Sequence, residues 1–449
     1  MTNLFMAPAK ARKSFLDRIF ETVGHVAGPA NRIRWHLELF TVIHPIETAQ
    51  RLWHHLNPRV YSERLRINNL SEGRRPSKGN RYVLFVLFAR HAIPAFTKTI
   101  LDAIDRSPLN LVISTNAEIT PELREELLDR SLLLIERADL GRDFGGYKDG
   151  ISIIEQRFGT PERLILLNDS LFYFDRGLDL LLKELDGPEE LVSMTEVFEF
   201  HYHLGSFAIS FGESVLKNKR FRRYWKKYRP ISTRRWAIHK GEVGLSRMLM
   251  RAGFRPKVIY HGAQLLPVLD RQHASEHLET VRLLPHDFRQ IFYAEFEEIH
   301  ATQVRYSLTA IGALSKSIQR IDSGDDEPMF SDLKAANVRE LLKINHLATS
   351  TQLDRETWIL KSLGHRIVRS IVKRNQMHVG GFLFMKYLGM PAIKRDIYFR
   401  EVFRLDEVED ILEQLDEPLR DAVAADMRVK GSQAYLFGLP KLLAKHGSI

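Results

Sequence analysis

The chain has no cysteine among its 449 residues. That excludes disulfides, thiolate metal centres and cysteine nucleophiles, and it fits a reducing compartment. No apolar run approaches the roughly 18 residues that span a bilayer. The densest stretch, Tyr82 to Ala89 (YVLFVLFA), is only strand-length. The opening MTNLFMAPAKARKSFLDRIF is basic but has no uninterrupted apolar core, so a secretory signal is not expected there. Acidic residues are missing from one long segment: Lys217 to Lys240 holds 11 Lys and Arg and no Asp or Glu.

What is present describes a folded protein. An apolar fraction of 44% over this length supports a large buried core and two or three domains. The formal charge of +10 implies an anionic partner: nucleic acid, a membrane surface or a phosphorylated substrate. Its distribution is uneven. Residues 1–78 carry 13 Lys and Arg against 6 Asp and Glu, so together with segment 217–240 they supply all of the surplus, and the remainder is net acidic.

Residues 1–78 read as a basic helical arm, with Phe15, Ile19, Phe20, Trp35, Leu37, Leu39, Phe40, Trp53 and Leu56 interleaved with basic residues. Such an arm can lie on an anionic membrane, or it can pack on the next domain with its charges solvated. The stretch SEGRRPSKGN (Ser71 to Asn80) has linker composition. Strand and helix patterns then alternate: strand Arg81 to Phe88, helix Ile93 to Asp105, strand Leu109 to Ser114, helix Pro121 to Asp129. This alternation predicts βαβ units and a parallel sheet, an α/β nucleotide-binding domain over about 79–300. Further strands are expected near Glu190 to Met194, Gly205 to Phe211 and Lys257 to Tyr260. Beyond the polar break at Asp322 to Ser331, helices at roughly 333–344, 353–374, 382–388 and 405–428 make 301–449 a helix-rich C-terminal region.

The centre of the chain is Ser131 to Tyr173. It reads as strand Ser131 to Glu136, a glycine-bearing polar loop Arg137 to Gly146, helix Tyr147 to Arg157, strand Arg163 to Leu167, and the tripeptide Asn168-Asp169-Ser170 at that strand's end. Polar side chains at the carboxyl ends of parallel strands are where open α/β sheets bind ligands. The loop offers Asp143 and Asp149, glycines 141, 145 and 146 that let backbone approach a ligand closely, and Arg142 and Lys148 for phosphate charge. Capping of the helix by Asp143, and a turn-stabilising role for Asp169, are the structural alternatives.

The segments LGRDFGGYKDGI and LILLNDSLFY resemble the paired signatures of the rhamnan synthesis protein F family, glycosyltransferases of polysaccharide assembly. More distantly they resemble the GT-A nucleotide-sugar transferases. The resemblance implies a GT-A-like, Rossmann-type fold with the first segment beside the nucleotide. It places Asn168-Asp169-Ser170 where the usual Asp-x-Asp motif holds the diphosphate and its metal, here with one carboxylate in place of two. On that reading Gly141, Arg142, Asp143, Lys148, Asn168, Asp169 and Ser170 bind a nucleotide sugar, and Asp169 is the candidate ligand of a divalent cation, Mg²⁺ or Mn²⁺.

Two further segments join this set. His201 and His203, spaced i, i+2, would share one face of a strand as metal ligands, acceptor contacts or simply polar structure, and His203-x-x-Ser206 resembles a His-x-x-Ser segment of the same family; both His203 and Ser206 are candidate acceptor contacts. In KGEVGLSRMLMRAGF, Glu242 resembles the acid that begins a helix in inverting GT-A enzymes, and it is the candidate general base, with a favourable first-turn acid as the alternative. In RNQMHVGGFLFMKYLGMPAIKRDIYFREVF, Pro391 and Lys394 fit a Pro-x-x-Lys pattern of the family. Lys394 reads from the sequence first as a helix-ending surface lysine, with contact to a phosphate as the alternative. In segment 217–240, Phe221, Tyr224, Trp225 and Tyr228 fit one apolar helix face. Its cations read first as contact with a lipid-pyrophosphate acceptor or its membrane, then as a solvated face, and last as a nucleic-acid site.

The expectation is thus a glycosyltransferase at the inner face of the cell membrane, on the cytoplasmic side. It would move a sugar, rhamnose by analogy, from a nucleotide-diphosphate donor to a cell-surface polysaccharide or lipid-linked precursor by inverting displacement. The alternative is a catalytically silent protein of the same fold that scaffolds a polysaccharide-synthesis complex.

Overall fold

A computed structural model describes residues 39–199, 201–272, 274–289 and 364–445. The first half of the basic arm, the break at Asp322 to Ser331, the helix expected at 333–344 and the first part of the one expected at 353–374 lie outside the described residues, as does all of 290–363.

The described chain opens with α1 (His44–Leu56) and a single helical turn, α2 (Glu63–Arg66). An eight-stranded sheet follows. Its strands are β1 (Ile67–Glu72), β2 (Arg81–Leu87), β3 (Asn110–Thr115), β4 (Leu133–Arg137), β5 (Arg163–Asn168), β7 (Leu191–Ser193), β10 (Ala208–Gly212) and β11 (Lys257–Val258), in the spatial order β1-β4-β3-β2-β5-β10-β7-β11. The block β4-β3-β2-β5 is parallel, while β1 and β10 run antiparallel to it. Helices α3 (Ala95–Arg106), α4 (Pro121–Arg130) and α5 (Arg142–Phe158) are the crossovers. The expected βαβ alternation is therefore present, within a mixed sheet.

The central strands are buried at almost every position, with apolar residues on both sides, because both faces are covered. On one face Val83, Phe85, Leu87, Ile113 and Leu167 pack under α3, α4 and the C-terminal helices. On the other, Leu84, Val86, Val112, Ile135 and Leu166 meet α5 and the aromatic helix α8 (Lys219–Lys227). Between these strands the chain reverses direction: β2, β3 and β4 step outward one way, and α5 then carries it back across β2 to β5. Such a reversal opens a crevice at the strands' carboxyl ends.

The seating of α5 explains its glycines. A Cβ on Gly146 would fall 2.8 Å from Val86, and one on Gly150 would fall 2.5 Å from Leu84. Those glycines, one turn apart, let the helix lie against the sheet; Gly145 is closed off by the Leu140 carbonyl and Arg137. The expected approach of backbone to a ligand at 145 and 146 is corrected to an approach of helix to strand. The loop expected to run to Gly146 is also shorter, since α5 begins at Arg142. Gly141 (φ 84°) and Arg142 (φ 53°) are both left-handed and make the sharp entry.

A buried ion triad locks this arrangement. Asp149 on α5 accepts from Arg66 Nη2 at 2.5 Å and Arg137 Nε at 2.9 Å, and all three side chains are at most 1% exposed. Arg137 also donates to Asn116 Oδ1 at 2.6 Å. Asp149 is thus a structural anchor. Arg66 leads directly into β1, so residues expected to end a helical arm and begin a linker instead form an edge strand. Its sequence, INNLSE, hides this because only Ile67 and Leu70 face the core.

The C-terminal region is helical at α10 (Gln376–Leu388), α11 (Leu405–Gln414) and α12 (Arg420–Lys430), and the expected 405–428 helix is two helices. It also contributes a strand, β12 (Ala392–Lys394), paired antiparallel with β6 (Leu171–Tyr173), so that Lys394 lies opposite Leu171. The region is built onto the sheet domain rather than beside it.

Replacing Asp149 with Ala leaves two guanidinium groups buried without their carboxylate. The expected cost is about 3–5 kcal/mol, read by urea denaturation; a loss below about 1 kcal/mol would show that the triad does not hold α5.

Candidate functional site

The carboxyl ends of β2 and β5 meet the amino end of α5 at one spot. The Asn168 side chain is the connector: Nδ2 donates to Asp143 Oδ2 at 3.0 Å, while Oδ1 accepts from the Ser170 amide at 3.1 Å and from Ser170 Oγ at 2.6 Å. Tyr173 OH donates to the Asn168 carbonyl at 2.9 Å and fixes the turn from below. Lys394 Nζ donates to Ser170 Oγ at 3.2 Å and stands 4.1 Å over the Phe207 ring. A hydrogen-bonded line therefore runs Asp143, Asn168, Ser170, Lys394. Lys394 is corrected from a surface lysine ending a helix to a strand residue inside the site, delivered by the β12 pairing.

Asp169 faces the other way. Its amide donates to the Val86 carbonyl at 3.2 Å, and Oδ2 accepts from the Phe88 amide at 3.0 Å and pairs with Arg395 at 3.6 Å. The residue is only 9% exposed. Burial raises its carboxyl pKa, and Arg395 opposes the shift. Its Oδ2 thus helps to hold β2, β5 and the β12 turn together.

A second arm comes from the far edge of the sheet. Beyond β10, a widened helical turn (Ala237–Glu242) precedes α9 (Val243–Arg251), so Glu242 ends the turn rather than starting the helix. A Cβ on Gly241 would strike the Phe144 ring at 2.8 Å, which puts Glu242 beside the start of α5. Ser206 Oγ donates to Glu242 Oε1 at 2.6 Å, and Tyr147 OH donates to the Ser206 carbonyl at 3.0 Å. His203 Nε2 lies 3.7 Å from Glu242 Oε2, and its Nδ1 bonds the His201 carbonyl at 2.7 Å. The His203 imidazole thus reaches back to the backbone of His201. The Glu242 side chain remains 24% exposed.

Electrostatics tie the two arms together. Burial raises the Asp143 carboxyl to about 6, with the Asp169 and Glu242 charges adding to it and Arg142 and Lys394 opposing. Burial lowers Lys394, against the pull of Asp396, Glu242 and Asp143. Burial and the nearby Arg400 bring Arg234 down to about 10, with Asp396 and Glu242 acting the other way. Asp396 pays for its burial through His378 at 2.9 Å, Lys394 and Arg400, which hold its carboxyl well below the usual range. The result is a compact set of acids and cations, partly open to solvent.

Of the residues expected from the sequence, Asp143, Asn168, Asp169, Ser170, His203, Ser206 and Glu242 converge, and Gly141 and Arg142 form the entry to α5. Lys148 does not join them: its Nζ donates to the carbonyls of Trp225 and Lys226 at the end of an adjacent helix. Five positions beyond Asp143 on a helix, it projects toward a different side. Sequence reasoning missed Arg234, Arg395 and the working position of Lys394. The Pro391-x-x-Lys394 pattern was the available signal, but no periodicity shows that a strand 220 residues later returns to β6.

Among the described residues no three His, Asp or Glu side chains come together to hold an ion, and Asp169 Oδ2 is already engaged by Arg395 and the Phe88 amide.

Residues 111–281 match the rhamnan synthesis protein F family. That span contains β4, α5, β5 and the Glu242 turn. Over 204 residues the chain is 28% identical to the uncharacterized protein y4gN of Sinorhizobium fredii, covering 44% of this chain and 53% of that protein. The chain therefore spans about half the length of this curated relative. A crystal structure of the galactosyltransferase LgtC with donor and acceptor sugar analogs is similar at 13% identity, over 38% of this chain and 70% of that one, with a TM-score of 0.24. The last value is too low for that likeness to inform the site.

The Asp143 shift has a testable sign. Its folded pKa of about 6 exceeds the ordinary 3.8, so the folded state holds the proton longer and stability falls as pH rises between those values. Asp143→Asn is expected to be more stable than the parent at about pH 8, by about 1–2 kcal/mol, with the advantage shrinking toward pH 4. Thermal melts across that range measure it; a pH-independent difference would show that Asp143 is not strained by burial.

Proposed function

We propose that this chain is a glycosyltransferase of GT-A type that binds a nucleotide-diphosphate sugar at the β2/β5 crevice. The observation that carries the reading is the convergence of Asp143, the Asn168-Asp169-Ser170 turn and Glu242 at the point where the strand order reverses. Rhamnose as the sugar, and a polysaccharide or its lipid-linked precursor as acceptor, rest on the family match alone.

Each group has a task. Asp143, held by Asn168, is placed to accept a hydroxyl hydrogen bond from the donor's sugar or ribose. Arg142, Lys394 and Arg234 supply positive charge for the diphosphate, the role that a divalent ion fills where two carboxylates are free to hold one. Asp169, with Arg395, positions the turn. Glu242, oriented by Ser206, takes the proton of the acceptor hydroxyl as its oxygen bonds the anomeric carbon. The bond from that carbon to the β-phosphate oxygen breaks, and the nucleoside diphosphate leaves with the electron pair. Attack opposite the leaving group inverts the anomeric centre. His203, beside Glu242, faces the same hydroxyl.

Purified protein incubated with candidate donors is expected to release nucleoside diphosphate and to continue doing so in EDTA. Glu242→Gln should lower the rate by about 10²–10⁴ while leaving donor-induced thermal stabilisation intact. Lys394→Met should abolish that stabilisation, and Lys148→Met should leave both readouts unchanged. Donor binding without release in the parent protein would favour the silent scaffold. Release indifferent to Glu242 and Lys394 would place the chemistry elsewhere.

A further inference from the structure

Helix α8 (Lys219–Lys227) turns Phe221 and Trp225 into the core, with Tyr228 just beyond its end, where Phe144 packs against Trp225 and Tyr228. Its remaining surface faces a concavity of about 1330 Å³ shared with α9, with His55 on the last turn of α1, and with Val60 and Tyr61 from the connection after it. Among the described residues, nine Lys and Arg side chains line it and no carboxylate does. Lys217 and Arg222, which are not part of this lining, are neutralised by Glu213 and Glu155. Within the concavity the cations have aromatic neighbours instead, with Arg229 4.8 Å over Tyr61 and Lys240 5.9 Å over Trp236. Like charges gathered without counter-charges destabilise a compact state and are relieved by an anionic surface.

We infer that this face docks on the anionic headgroups of a lipid bilayer. The exposed part of α1 decides between a membrane and a nucleic acid. Leu52, Trp53 and Leu56 are 61%, 74% and 78% exposed, and they sit on the helix whose His55 forms the rim of the concavity. His55 is fixed there by Tyr61 OH at 3.1 Å and by an edge contact with Trp236. Exposed leucines stack no bases and bind no phosphates. Beside a basic face, they and Trp53 suit the headgroup and acyl boundary, where apolar insertion and charge attraction add. Tyr224 OH, in the lining, donates to the carbonyls of Lys240 and Gly241, the two residues that precede Glu242 in the chain. A docked membrane would therefore lie next to the candidate site. The inference rests on this surface and not on the chemistry proposed for the crevice.

The test is co-sedimentation of the full chain with vesicles of phosphatidylcholine alone and of phosphatidylcholine mixed with phosphatidylglycerol. Binding to the mixed vesicles only, weakened by salt, is expected. Arg223→Glu combined with Lys227→Glu should weaken it by about tenfold or more. Leu52→Ser combined with Leu56→Ser should also weaken it while the salt dependence stays. Circular dichroism and thermal melts check folding, and Arg223→Ala with Lys227→Ala is the milder pair if charge reversal unfolds the chain. Equal binding to both vesicle types, no binding, or binding indifferent to these substitutions would overturn the inference. So would salt-sensitive capture of an oligonucleotide for which mixed vesicles do not compete, since that would assign the face to nucleic acid.

Discussion

The fold depends on how closely α5 is pressed to the sheet. Gly146 and Gly150 remove the side chains that would hold it off β2, and Asp149 on the same helix binds Arg66 and Arg137 in the dry interior. With the helix clamped at that depth, its left-handed entry at Gly141 and Arg142 projects Asp143 onto Asn168. A helix displaced by one side-chain diameter would not reach. The glycine-rich signature is thus a packing device that places a carboxylate, rather than a cradle for phosphate.

The crevice holds more charge than a core tolerates without purpose. Asp143 is raised to about 6 and Arg234 lowered to about 10, both chiefly by burial, and each is restrained by opposite charges across the crevice. Removing groups from water raises their energy unless partners replace the lost hydration. Here the replacement is incomplete on the solvent side, around Arg142 and Glu242. Strained titratable groups beside an open crevice are what a binding or catalytic site requires. The C-terminal region is integral to this balance, because β12 brings Lys394 and Arg395 to the Asn168-Asp169-Ser170 turn.

Much of this was legible in the sequence. Continuous apolar runs such as RYVLFVL and RLILLN mark strands buried on both faces, and the intervening helical patterns fix the parallel block. The polar turn at the end of β5 pointed to the crevice, and resemblance brought Glu242 to it. Other features were hidden for physical reasons. The edge strand INNLSE has one wet face and shows no strand-like run. The direction of Lys148 depends on carbonyls at the end of α8, seventy-seven residues away in sequence. Lys394 depends on a β6 pairing formed across more than 200 residues. Contacts of such separation leave no local periodicity to read.

One chain therefore presents a set of opposite charges at the sheet's carboxyl edge and a basic face on α8 and α9, the helix that follows Glu242. The measurement that decides whether the crevice is the donor site is a crystal structure of the chain soaked with a deoxythymidine diphosphate sugar. Density for the sugar at Asp143 and Asn168, with the diphosphate against Lys394 and Arg142 and the anomeric carbon open toward Glu242, is the predicted result. A nucleotide lodged in the basic concavity lined by Arg223 and Arg247, with the crevice unchanged, would contradict it.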